Sequence, residues 1–447
     1  MIYNPYMSKV EFPKEEYKKK LKKFVSFRTI SAESEKYIDD IADCTKWLKD
    51  IFEAQSFKTK IISGYENPLI LAEFDNKAKE TCLIYGHYDV QPASRYEGWE
   101  NHPFKLIEKE NKLIGRGSTD NKGQILLSMI TVFELIKSGK LKYNIKFLIE
   151  GNEETGSPKL DKFVEKYKET LAADFILISD GSLLENKPTL EVGLRGMVSF
   201  EIEVKTSHTE LHSGMYGGMV PNATHELAKL IAEIFEDETN KIRIPGFYDN
   251  IAEIDPKILN KIISIKPDPI KHKKQTGTSK AFLENELMVG LQPSLEVTGL
   301  RGGYIGDGIK TGIPHAASAK INVRTVENQN NILLFNNIQK YLESKAPEFV
   351  DLKINLIDTS RAVRMDTKNK YFKNAEGILY KFYKTDPIYH FVGGSIPVVA
   401  DFKEILDIPM VLLPIANEDC FMHGVNENID IDMVEEGFEV LGELLGK

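Results

Sequence analysis

Residues 82–90 read CLIYGHYDV. Cys82 to Tyr85 form a short apolar run of the kind that is buried on both faces of a sheet. The run then meets His87 and Asp89, an imidazole and a carboxylate two residues apart. In an open parallel sheet, sites form beyond the carboxyl ends of the strands, so a buried strand ending in polar side chains points to that architecture. Two more apolar runs end the same way. IKFLIE (145–150) leads into Glu153 and Glu154, and FILISD (175–180) delivers Asp180. Between the first two, GRGSTDNKGQ (115–124) places Asp120 just ahead of a helix expected over 122–138 and stopped by Gly139. LILAEF (69–74) reads as another strand, Tyr17, Leu21, Phe24 and Val25 recur at helical spacing, and a second helix is expected over 37–54. Apolar strands alternating with amphipathic helices predict an α/β fold, a mainly parallel sheet flanked by helices.

The texture changes after EVGLRG (191–196). MVSFEIEVK alternates as a half-exposed strand does, a helix is expected over 222–236, and SLEVTGL and SAKINVRTV read as strands. A helix over 328–344 and the strand DLKINLI complete the order strand, helix, strand, strand, helix, strand, which is ferredoxin-like. Alternating α/β texture resumes near 365. The expected organisation is a discontinuous first domain, 1–194 with 362–447, interrupted by an inserted ferredoxin-like α+β domain, 195–361. No internal repeat is present.

Bulk properties narrow the classes of function. The net charge of −9 argues against nucleic acid, which needs a clustered basic face. Short lysine runs at 18–23 and 271–274 read as a solvated helix face and a surface loop. No stretch reaches the ~18 apolar residues of a membrane span, and the first 20 residues lack the apolar core of a signal peptide. Cys44, Cys82 and Cys420 fit neither a disulfide framework nor a zinc finger. A cytoplasmic protein with no membrane or nucleic-acid partner is expected.

His87, Asp120, Glu153, Glu154 and Asp180 are thus expected to converge. Bare carboxylates at close quarters raise one another's pKa, and divalent cations remove that conflict. Imidazole with carboxylate and no thiolate suits zinc at a catalytic site, with manganese or cobalt as alternatives. HGVNE, after the apolar MVLLP, offers His423 as a second imidazole. Five ligands with one shared carboxylate suit two metals bridged by water. Taken singly, each residue has a plainer reading: a satisfied core histidine, surface glutamates, a helix cap at Asp180. The conjunction at strand ends outweighs them.

GHYDVQPA, GRGSTDNKG, EGNEETGS, SDGS, LHSGMYGG and HG, in this order, resemble the two-zinc metallopeptidase family of carnosinase-like dipeptidases, carboxypeptidase G, aminoacylase and succinyl-diaminopimelate desuccinylase. The likeness spans about residues 15–445, is thinnest over 237–285, and is strongest to the dipeptidase branch. It implies that His87 and Asp180 bind one metal, Glu154 and His423 the other, and that Asp120 bridges them. It further implies that Asp89 orients His87, that Glu153 is the general base, and that His212 donates to the oxyanion of the neighbouring subunit's site in a homodimer. Arg324 matches the family's substrate-carboxylate arginine, with Thr311, Gly394 and Ser395 as further substrate contacts. Asn121 stands where many relatives have a second aspartate. The inserted domain is implied to be a lid and dimerisation domain.

The activity so implied is metal-dependent hydrolysis of dipeptides or short peptides with a free C-terminal carboxylate. The alternative is an N-acyl-amino-acid deacylase or desuccinylase using the same groups. A non-catalytic relative is disfavoured because all five ligands and the base are present.

Overall fold

A computed structural model of the chain describes residues 10–264, 269–283 and 286–447. The first nine residues of the expected first domain lie outside the described residues. The chain forms two compact units, one of Met1–Val192, Met365–His390 and Ile396–Lys447, the other of Gly193–Arg364 with Phe391–Ser395.

The first unit is built on one large sheet, whose strands run in the order Lys58–Ile62, Leu69–Phe74, Asn144–Glu150, Thr81–His87, Phe175–Ile178, Met410–Leu412 and Thr189–Leu194. The four from Asn144–Glu150 to Met410–Leu412 pair in parallel. The flanking strands are antiparallel. Parallel pairing is thus confined to the centre, where strands such as Phe175–Ile178 are buried throughout. All three polar-ended runs lie in that centre and point the same way, which brings their carboxyl ends to one edge.

The Lys122–Lys137 helix is not amphipathic as expected. It is buried from Lys122 to Phe133 without a break. Its outer side is covered by the Lys14–Ser26 and Ile431–Leu445 helices, from opposite ends of the chain. Even Lys122 is fully buried. Its ammonium donates to the carbonyls of Phe24 (3.1 Å) and Phe27 (2.8 Å) at the end of the first helix. A cation at a helix C-terminus satisfies carbonyls that the helix itself leaves free.

The second unit has a four-stranded antiparallel sheet in the order Ser294–Gly302, Ala316–Thr325, Gly196–Lys205, Asp351–Ser360. The Ala223–Ile234 and Asn331–Lys345 helices cover one face. Val198, Phe200, Ile202, Leu227, Leu230, Ile321 and Ile338 make its core. This is the ferredoxin-like order. The other face is polar: Asn322 donates across it to Ser199 at 3.0 Å. The lysine run 271–274, expected in a loop, lies on a helix, Pro269–Thr276. Proline is favoured at the first turn and lysine is a good helix former. Among the described residues no helix is long and apolar enough to cross a membrane.

Glu150 is buried at the end of its central strand. Its Oε1 accepts hydrogen bonds from Tyr85 (2.6 Å) and Ser157 (2.9 Å). Burial, then the Asp89 charge, pushes its carboxyl from 4.5 up to about 7. The folded protein therefore binds this proton more tightly than the unfolded chain. The contribution favours the fold at low pH and is lost as pH rises from about 4.5 to about 7. Glu150→Gln keeps the acceptor and removes the charge. In metal-free protein its stability relative to wild type is expected to rise between pH 5 and pH 8, by about 1–3 kcal/mol. Urea midpoints of both proteins at the two pH values check this, and an unchanged difference would refute it.

Candidate metal centre

Each candidate ligand is delivered by a different segment of the first unit. His87 is the last residue of the Thr81–His87 strand and pairs with Glu150. The chain beyond it is pinned at once. Tyr88 N–H donates to Glu150 O (2.8 Å), the Thr29 hydroxyl donates to Tyr88 O (2.6 Å), and Val90 N–H donates to Thr29 O (3.0 Å). Gly86 lets two segments approach closely here, since a Cβ would stand 2.7 Å from Asn121 Oδ1 and 2.8 Å from Ile125 Cδ1. The close approach lets the loop bearing Asp120 reach the histidine. The Asp120–Asn121 peptide bond is cis.

The side chains form two triads sharing one carboxylate. The candidate ligand atoms of His87, Asp120 and Asp180 lie within 4.8 Å of one another, as do those of Asp120, Glu154 and His423. His87 Nε2 is 3.0 Å from Asp120 Oδ1 and 3.5 Å from Asp180 Oδ2. His423 Nε2 is 2.8 Å from Asp120 Oδ2 and 3.2 Å from Glu154 Oε2. Asp120 thus turns one oxygen to each imidazole. Glu153 belongs to neither triad, and its Oε2 is 4.0 Å from His87 Nε2.

Asp89 is fully buried behind His87. Its Oδ1 is 3.3 Å from His87 Nδ1, and its own carbonyl is 3.1 Å from the same nitrogen. The two acceptors hold a proton on Nδ1 and turn Nε2 toward the carboxylates as the candidate ligating nitrogen. Asp89 also accepts the N–H groups of Glu153 (3.2 Å) and Glu154 (3.1 Å). One carboxylate therefore orients the histidine and the turn that carries both glutamates.

These residues fit a cation. His87 Nε2 is buried and makes no hydrogen bond of acceptable angle, although acidic oxygens surround it. Burial and the neighbouring carboxylates push Glu153, Glu154 and Asp180 above their usual range. The imidazoles carry the compensating charge. Burial opposes protonation of His87, but Asp120, Asp180 and Asp89 outweigh it and raise the ring well above its usual value. Hydrogen bonds to Asp120 and Glu154 raise His423 to about 10. Divalent cations would displace these protons.

A further pair of residues, with no signal in the sequence, holds the two triads in register. Glu427 is fully buried and its carboxylate is clamped from four directions. Oε2 accepts from Arg116 Nη1 (2.7 Å) and Gly117 N (2.9 Å), and Oε1 from Thr119 N (2.9 Å) and Asp120 N (3.0 Å). Arg116 Nη2 donates in turn to His423 O at 3.1 Å. Pairing of Asn428–Asp430 with Lys112–Ile114 brings the two loops together. Glu427 and Arg116 thereby fix Asp120 and His423 as one body.

The remaining predicted residues lie in the second unit. His212 is exposed, and its Nδ1 accepts from Gly214 N–H at 3.0 Å, so the neutral ring carries its proton on Nε2 as an outward donor. The Leu211–His212 strand pairs with Gly312–Ile313, next to Thr311, whose carbonyl accepts from Ser213 N–H at 3.0 Å. Arg324 Nη1 donates to Ser395 Oγ at 3.1 Å. Gly394 is exposed beside Ser395.

Two imidazole–carboxylate triads bridged by one aspartate, with a free glutamate alongside, are the groups of a metal-dependent hydrolase. The chain belongs to the metallopeptidases of peptidase family M20/M25/M40, whose model matches residues 83–447. It is 31% identical over 376 residues to human Beta-Ala-His dipeptidase, covering 81% of this chain and 74% of that protein. It is 32% identical over 393 residues to a Cys-Gly metallodipeptidase of Saccharomyces cerevisiae, covering 85% and 81%. A solved M20 family metallo-carboxypeptidase of Sulfolobus solfataricus superposes with a TM-score of 0.87 at 28% identity, covering 96% of this chain and 98% of that one.

Glu427→Gln keeps the size of the side chain but weakens the clamp. It is expected to lower metal affinity about 10–100-fold while the fold is retained. Metal content after dialysis against graded chelator measures this. Wild-type retention of metal would show that the clamp does not position the ligands.

Proposed function

We propose that this chain is a two-metal dipeptidase that cleaves the amide of a dipeptide or short peptide with a free C-terminal carboxylate. The observation that carries the reading is Asp120 shared between two ligand triads with the unassigned Glu153 beside them. The dipeptidase names of the relatives support the substrate class and weigh against the deacylase alternative.

His87 and Asp180 would hold one cation, Glu154 and His423 the other, and Asp120 both; imidazole and carboxylate donors suit zinc at a catalytic site, with manganese or cobalt as alternatives. Held by these residues, the cations would supply a water of pKa ~7 and Lewis acidity toward the scissile carbonyl. Glu153 takes the proton of the attacking water and returns it to the leaving amine, a role helped by a carboxyl raised by burial and by its acidic neighbours. Asp89 keeps His87 in the ligating tautomer. Arg324 and Ser395 receive the substrate carboxylate, since a guanidinium binds carboxylate bidentately, with Gly394 and Thr311 adding polar contacts.

His212 donates to the developing oxyanion in the neighbouring subunit of a homodimer. Its outward Nε2–H suits that role, and nearby exposed apolar side chains, Met215, Met219 and Ile309, suit a surface covered by a second copy. The inserted unit is then both lid and dimerisation domain. Three free, buried cysteines suit a reducing compartment such as the cytoplasm.

The reading is tested with a panel of free dipeptides and N-acetyl and N-succinyl amino acids, with and without chelator. Chelator-sensitive cleavage of the dipeptides is expected; cleavage of the blocked amino acids alone would move the assignment to the deacylases. Glu153→Gln is expected to lower kcat by ~10²–10⁴-fold with metal content unchanged. Co-expressed Glu153→Gln and His212→Ala chains, each inactive alone, are expected to recover about a quarter of wild-type activity, because half the dimers carry one complete site. No recovery would place His212 outside the neighbour's chemistry.

A further inference from the structure

Two arginines of the second unit lie near one another at one end of its sheet. In the register between the Gly196–Lys205 and Ala316–Thr325 strands, Gly196 pairs with Thr325 and Met197 with Arg324. Arg195 immediately precedes this strand. It is 9% exposed and makes four contacts, all with neutral acceptors. Its Nε donates to Gly393 O at 2.7 Å, and its Nη1 to Ser294 Oγ at 3.2 Å and Gln292 O at 3.4 Å. Its backbone N–H donates to Gly394 O at 3.0 Å. One residue thus ties the loop 393–395 to the start of the Ser294–Gly302 strand. The next residue of that loop, Ser395, is the one Arg324 contacts.

Charge adds to the geometry. Carbonyls and a hydroxyl accept from Nε and Nη1 of Arg195 without cancelling its charge, and neither it nor Arg324 makes an ion pair among the described residues. Burial, then the charge of Arg324, pulls the Arg195 guanidinium down to about 10, with Glu296 partly opposing. Two like charges in a part-buried place are unfavourable until an anion joins them.

We propose that Arg195 is a positioning residue for substrate recognition: it locks the Gly393–Ser395 loop so that Ser395 and Arg324 meet a terminal carboxylate together, and it adds a second positive charge to that place. The inference rests on the assignment of Arg324 to the substrate carboxylate made above. Arg195 acts through the loop and the field, and so governs preference for the carboxylate, not the chemical step.

The test compares metal-loaded wild type, Arg195→Gln, Arg195→Lys and Ser294→Ala on a free dipeptide and on the same dipeptide as its C-terminal amide. Thermal unfolding and bound metal are measured alongside. Arg195→Gln is expected to raise KM for the free acid about ten- to hundredfold, with kcat within a few-fold and kcat/KM for the amide nearly unchanged. Arg195→Lys keeps the charge but cannot span Gly393 and Ser294 together, and should fall between. Ser294→Ala, a milder change outside the main loop, should lower the acid-to-amide ratio by a smaller factor. Equal losses on acid and amide, or a loss confined to kcat, would overturn the proposal. A wild-type enzyme indifferent to the terminal carboxylate would overturn the Arg324 assignment, and this inference with it. A wild type that prefers the acid beside variants that keep the preference would overturn only the role of Arg195.

Discussion

Mutual repulsion among Asp120, Asp180, Glu153 and Glu154 is the constraint around which the first unit is organised. Four carboxyl groups facing two imidazoles in a mostly buried place need compensating charge. The carboxylates raise both His87 and His423 above the usual imidazole range, which favours the charged rings that offset them. Cations held there would displace protons from these rings, which would couple metal binding to pH and add its free energy to that of the fold. The scaffold holds the groups together against this repulsion by means other than charge alone. Parallel strands aim three of the segments at one edge, Asp89 fixes His87 and the glutamate turn, and the Glu427–Arg116 pair fixes Asp120 and His423.

Much of this was legible in the residues. Strand ends announce themselves because an apolar run that stops at a histidine or an aspartate leaves no other reason for that side chain to be near the core. The ferredoxin-like order was legible because the Gly196–Lys205 strand alternates buried and half-buried positions with period two. Other features had no local signature. Glu427 sits in the polar run NENID and reads as surface; only the pairing of two short strands, more than 300 residues apart in the chain, buries it. The burial of the Lys122–Lys137 helix was hidden for the same reason, since its cover comes from both ends of the chain. Lysine at 122 looks solvated until the carbonyls of the first helix are placed around it.

The division of labour between the units follows from these local facts. Every candidate metal ligand, with Glu153, Asp89 and the Glu427 clamp, belongs to the first unit. Arg324, Ser395, Arg195 and His212 belong to the second. The candidate metal ligands are thus rooted in one hydrophobic core, and the residues proposed to read the substrate in another.

The five residues Phe391–Ser395 cluster with the second unit although they follow the long return of the chain into the first. Arg195 grips them across nearly 200 positions of sequence. A chimera made by exchanging only the contiguous insertion, residues 193–364, would therefore carry a mismatched joint: Arg195 would leave with the insertion and the loop it holds would stay with the host. Keeping that joint intact means moving the loop together with the insertion, either as two pieces or as one longer segment that also carries Met365–His390 of the first unit.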